Sequence, residues 1–292
     1  MCLTALFLFA APCMADVLFI HDYRIKEYVI GTKEAELAVG YTDEAMYLDK
    51  MSRYTGSWMK RIFGKEKEHR ETTQFLLDKN KICEIDWYKG GIIVFPFENL
   101  KDANWIKQQQ KNLEGADEIL KERYKVLEPK ISVKALAKKE NFNGYLCSGI
   151  EANLRLETAD IKKKTSSVTL VRQKTWLSED VPGFDQYAAF HSKLAEKLGI
   201  DAERLGSLNF LLRYWNGSLD PIRKHLHNAR GYPVRSLLTV EARYITGTDT
   251  DSPKTISKQI KEEFVHLKNV NLNKLDKKRF TAPPGFKEKT TK

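Results

Sequence analysis

Cysteine occurs only four times in this 292-residue chain, proline nine times and histidine six. So few sulfur and imidazole ligands leave little for a metal centre, and neither CxxC nor zinc-finger spacing is present. There is no phosphate-binding glycine loop, no nucleophile next to a base and no internal repeat. Nothing alternates as βαβ, which disfavours a doubly wound parallel sheet. Charge is missing from residues 1–15, MCLTALFLFAAPCMA, yet that run falls short of the roughly 20 apolar residues a spanning helix needs. These absences predict a protein without cofactor or metal and without enzymatic activity.

What is present begins with that leader. It ends in small residues before Asp16, the pattern of a secretory signal cleaved after Ala15, so export to the periplasm is expected. The usual basic opening is absent, which predicts a true start upstream of Met1. Cys2 and Cys13 leave with the leader, and Cys83 and Cys147 remain. In an oxidising compartment an even pair reads as a disulfide worth roughly 4 kcal/mol, the alternative being two separate buried thiols. The net charge of +10 favours an anionic membrane surface as a partner; export and the lack of any RNA- or DNA-binding signature argue against nucleic acid.

In GYLCSGIEANLRLE, Ile150, Ala152, Leu154 and Leu156 point one way while Glu151, Asn153, Arg155 and Glu157 point the other, a strand with one buried face. The same alternation places Leu238, Val240, Ala242 and Tyr244 against Arg235, Thr239, Glu241 and Arg243. Extended runs are also expected over 17–30, 36–49, 75–77, 82–88, 92–97 and 167–177, with Ser52–Arg70 as an exposed loop, while 255–267 reads as extended or, by the spacing of Ile256, Ile260 and Phe264, as helix. Low β-branching predicts helix over 101–124, and apolar spacing predicts helix over 184–215, with Gly199 as a C-cap and Asp180 and Asp185 as N-terminal caps. The predicted fold is α+β: a curved antiparallel sheet of eight or nine strands with helices over its concave face. It forms one domain over 16–268, with 269–292 as a basic extended tail.

Three short pieces, with a late ending, carry a resemblance: Gly144-Tyr145-Leu146-Cys147 opening a strand, Thr175-Trp176-Leu177-Ser178-Glu179-Asp180-Val181-Pro182-Gly183 before a helix, and Gly231-Tyr232-Pro233-Val234 opening another strand, with Pro283-Pro284-Gly285-Phe286 near the end. The pattern resembles a family of exported bacterial proteins of unknown function, similar in layout to the periplasmic lipoprotein-carrier (Lol-type) half-barrel proteins. The resemblance covers residues 16–286 and implies a container: an apolar sheet, helices as a lid, and a lipid or lipidated partner between them.

The candidate lining is Ile150, Ala152, Leu154, Leu156, Trp176, Leu238, Val240, Ala242 and Tyr244. A sealed core is the competing interpretation, and with it an envelope structural or assembly protein whose surface is made for protein contacts. Trp58, Trp87, Trp105, Trp176 and Trp215 fill core or line a pocket. His225 and His227 have the spacing of two ligands but lack an evident third, and His191 reads as a surface helix histidine.

Overall fold

The structure, a computed structural model, describes residues 16–28, 31–55, 68–101, 124–199, 230–246 and 254–291. The signal peptide, the helix expected over 101–124, the second half of the 184–215 helical region, Trp58, Trp105, Trp215, His225 and His227 lie outside those residues, apart from the flanking positions 101 and 124.

A single sheet dominates. Its strands are β1 (Val17–Glu27), β2 (Gly31–Tyr41), β3 (Ala45–Tyr54), β4 (His69–Leu76), β5 (Lys81–Asp86), β6 (Gly91–Pro96), β7 (Tyr124–Val126), β8 (Lys130–Ala135), β9 (Glu140–Phe142), β10 (Tyr145–Asp160), β11 (Thr165–Ser178), β12 (Tyr232–Thr246), β13 (Lys254–Asn271) and β14 (Lys287–Thr290). They run in the order β14-β6-β5-β4-β3-β2-β1-β13-β12-β11-β10, and β7, β8 and β9 share the far side of β10. All neighbours are antiparallel except β14, which joins β6 in parallel. Two α-helices appear among the described residues, the short α1 (Phe97–Lys101) and α2 (Phe184–Leu198).

This corrects the predicted α+β fold of eight or nine strands: the protein is mostly one mixed sheet of 14 strands. The extra strands have identifiable sources. The expected run 36–49 is two strands, because Thr42 folds the chain into a tight turn in which the Ala45 N–H donates to Thr42 Oγ1 at 3.0 Å. Strands β7 and β9, three residues each, are too short to show a periodicity. Strand β8 does alternate, Ile131, Val133 and Ala135 against Lys130, Ser132 and Lys134, a signal the sequence reading missed, and the length of β10 gives all three an edge to pair with. Both ends of the expected loop Ser52–Arg70 are strand as well, in β3 and β4.

Helix α2 starts at Gly183, whose φ of 82° no side-chain cap accompanies, so Asp180 and Asp185 do not cap it as expected. Gly199 closes it in the left-handed conformation, as the sequence predicts. The helix lays Phe190 and Leu194 on Phe19, Tyr41 and Tyr232 at one end of the sheet, forming the main core. Gly231 has φ +120° and lies so close to Ser178 that a Cβ would sit 2.7 Å from its backbone, so glycine is needed where β12 begins.

On the opposite face of β3–β6 lies a second cluster of Leu76, Cys83, Ile85, Ile92 and Val94. The predicted tail covers it: Phe280 and Phe286 pack there, Gln74 donates to the Arg279 carbonyl at 2.8 Å, and β14 extends the edge of the sheet.

The expected disulfide is not formed. Cys83 and Cys147 are both free and buried. They sit on β5 and β10, with β4, β3, β2, β1, β13, β12 and β11 between them, and belong to different clusters. A bridge needs Cα atoms within about 7 Å, so strand order explains what sequence pairing could not foresee.

Candidate functional site

Register assembles the site. Across β10, β11 and β12 the rows are Ile150–Thr175–Ser236, Ala152–Gln173–Leu238, Leu154–Val171–Val240, Leu156–Thr169–Ala242 and Thr158–Ser167–Tyr244. The strand alternation of β12 continues this face from Tyr232 and Val234, which touch the α2 cluster. Strand β8 widens the floor by setting Val133 opposite Ala152 and Ile131 opposite Leu154. Every predicted lining residue but Trp176 therefore shares one face.

Trp176 points to the other side. Its backbone pairs with Gly149 and Arg235, its Nε1–H donates to Glu140 Oε1 at 2.8 Å, and its ring meets Phe142 edge-on at 5.5 Å. The Trp176 side chain is nonetheless buried, part of the main core cluster with Phe142 against it, and the Arg235 guanidinium lies 4.9 Å from the Phe142 ring and 5.0 Å from that of Phe264, adding cation–π contacts.

Sequence reasoning missed the middle of the floor. Thr175, Gln173, Val171 and Thr169 face the same way as the predicted residues, but three of the four are polar, so the strand showed no apolar alternation. They form a hydrogen-bonded stripe: Gln173 Nε2 donates to Thr175 Oγ1 at 3.0 Å, and Thr175 and Ser236 hydroxyls are 3.3 Å apart. Beside Leu238 stands Glu263, buried and ion-paired to Lys261 at 2.5 Å. The floor is thus aliphatic with a satisfied polar seam, not uniformly greasy.

Exposure rises along the strands. Leu154 and Val240 are 1% and 2% exposed, Leu156 and Ala242 are half-buried, and Tyr244 with its cross-strand neighbour Ile256 reach 44% and 68%. The buried rows form an aliphatic cluster drawn from β8, β10, β11 and β12, and no side chain of the two described helices belongs to it.

At the α2 end the chemistry differs. Phe19 stacks on Tyr232 at 3.8 Å, the Tyr232 hydroxyl meets His21 Nε2 at 2.9 Å, and the Tyr41 hydroxyl meets His191 Nε2 at 3.3 Å. His191 therefore faces inward, correcting the surface assignment; its Nδ1 is buried although the residue as a whole is half-buried. Burial holds the His21 and His191 pKa values down to about 4 and pushes Tyr187 up to about 12. Both imidazoles are neutral at physiological pH and serve packing and hydrogen bonding.

Among the described residues no three metal-ligating side chains gather, and no helix is long and apolar enough to cross a membrane. A groove of about 570 Å³ lies on the opposite, charged face between Asp22, Arg24, Glu36, Met51 and Arg53.

No family model and no curated protein matches the chain. Among solved structures it is similar to a LolA superfamily protein from Nitrosomonas europaea at 9% identity and a TM-score of 0.29, over 92% of this chain and 91% of that one. So loose a superposition carries no argument about fold or function.

Proposed function

We propose that this chain is a non-enzymatic, exported protein that holds an apolar ligand, either a lipid chain or the acyl group of a lipidated partner, against the β10–β11–β12 face. The observation that carries this reading is the graded exposure of one largely aliphatic face with polar positions on β11, buried near Leu154 and Val240 and open at Tyr244 and Ile256. Tyr244 and Ile256, cross-strand neighbours at its open end, pair their exposed apolar side chains where an incoming chain would enter. The seam of Gln173, Thr175 and Ser236 offers ester or amide groups hydrogen-bonding partners within the otherwise aliphatic floor. Residues 1–15 support export to the periplasm.

A second reading, an envelope assembly protein with a sealed core, is favoured by how completely Leu154, Val171 and Val240 are buried. Native mass spectrometry separates the two. A carrier shows co-purified lipid, and delipidated protein takes up a fluorescent fatty acid. Ala152→Phe fills the floor between Val133 and Gln173 and removes that uptake while circular dichroism stays unchanged. A ligand-free wild-type mass with no dye uptake sinks the carrier reading.

A further inference from the structure

One end of the sheet brings together apolar and basic side chains that sequence distance keeps apart. Register places the end of β1, the start of β13, the end of β12, the β10–β11 turn and β7 side by side along one rim. Along it, Tyr28, Ile161, Tyr244 and Ile256 are exposed, at 63%, 59%, 44% and 68%. Interleaved with them are exposed Lys125, Lys162, Lys163, Lys254 and Lys258. The Lys258 ammonium rests 3.6 Å from the Tyr28 ring, so at least one cation is already held over an aromatic face. The turn is rigid: Asp160 Oδ1 accepts the Lys162 and Lys163 N–H groups at 3.1 and 3.0 Å, which fixes Ile161 and both lysines outward.

We propose that this rim is a docking surface for an anionic lipid bilayer. Two independent features choose that partner. Aromatic and aliphatic side chains alternating with lysine suit the interface between headgroups and acyl chains, where a ring sits at headgroup level and an ammonium reaches phosphate. A protein partner would be served better by a flatter apolar patch depleted in lysine, and nucleic acid by phosphate contacts without protruding isoleucines. The positive sign holds even with Asp249 and Asp251, which the sequence places between β12 and β13. The rim also adjoins the open end of the apolar face, but docking does not depend on that face holding a ligand.

The test is co-sedimentation of the full chain with vesicles rich in phosphatidylglycerol and with pure phosphatidylcholine vesicles. The protein binds the first, does not bind the second, and is released by salt. Lys162→Glu with Lys163→Glu, both on an exposed turn, weakens binding by roughly 30-fold or more. Tyr244→Ser with Ile256→Ser weakens it at every salt concentration. Lys79→Glu with Lys193→Glu, near the α2 end, leaves it nearly unchanged. Absence of binding, equal binding to phosphatidylcholine, or equal loss in the α2-end variant overturns the proposal. Dye uptake measured on the Lys162→Glu, Lys163→Glu variant, whose changes lie outside the ligand face, reads that face separately: docking lost with uptake intact leaves the carrier reading standing, and in Ala152→Phe uptake lost with docking intact leaves the rim standing.

Discussion

Beneath α2 the sheet presents rings: Phe19, Tyr41 and Tyr232 close on Phe190, and two neutral imidazoles are hydrogen-bonded to tyrosine hydroxyls. Farther along β12 and across onto β11 and β10 the floor is Ala152, Leu154, Val171, Leu238 and Val240, with a seam of hydroxyl and amide groups. Tyr41 meets Phe19 and Phe190 edge-on while Phe19 stacks on Tyr232, and the tyrosine hydroxyls reach their imidazole partners in that geometry, so this end fixes where the helix sits. Leucine, valine and alanine pack by volume and tolerate rearrangement, which is what the proposed carrier role would ask of this face. One end anchors the helix, and under the proposed function the other accommodates a ligand.

The largest expected effect breaks the anchor by pH. His21 and His191 titrate near 4 in the folded protein because of burial, against 6.5 in an unfolded chain. Between those values the unfolded chain binds more protons. The stability these groups confer is therefore complete above pH 6.5 and lost as pH falls toward 4, by up to about 3 kcal/mol per imidazole. Around His21 the neighbouring charges are His266, which lowers its pKa further, and Asp22, which raises it. Urea midpoints measured from pH 7 to 4.5 should fall steeply in the wild type and less so in a His21→Gln, His191→Gln variant. Equal slopes would show that the imidazoles are not the groups responsible.

Next come truncations at the two ends. Phe190→Ala removes a ring buried against Tyr41 and should cost about 4 kcal/mol in urea unfolding, transfer and cavity together. Leu154→Ala at the accommodating end should cost delipidated protein about 2 kcal/mol, the transfer contribution without a new cavity. A Leu154→Ala loss matching that of Phe190→Ala would make the two ends alike and return the floor to an ordinary core.

Much of this contrast was legible in the sequence. The alternation of IEANLRLE and of Leu238 to Tyr244 identified the two strands that flank the floor, and register alone brought them onto one face. What stayed hidden has physical causes. Strand β11 shows mostly polar residues to the face, so its part in the floor depends on neighbours that no local pattern encodes. Trp176 looks like lining by composition, but alternation puts it on the other side with Glu140 and Arg235. Residues 269–292 read as a solvated tail because Phe280 and Phe286 stand alone among lysines and prolines; only the cluster on β4–β6 gives them a place. The cysteine pairing failed likewise, since an even count says nothing about strand order.

The smallest effect sharpens the comparison most. Tyr244 pairs across strands with Ser167 and Ile256, and nearly half of it is exposed, so it carries little of the core. Tyr244→Ser should change thermal stability by less than about 0.5 kcal/mol, as exposed substitutions do. If the face opens here, the same change slows entry of a fluorescent fatty acid, because the first apolar surface an incoming chain meets has been removed, while equilibrium uptake falls only slightly. Stopped-flow fluorescence separates the two quantities. A loss of more than 1 kcal/mol would mean that the tyrosine is packed in solution. The graded face would then be closed at both ends, with no route for a chain to reach Leu154.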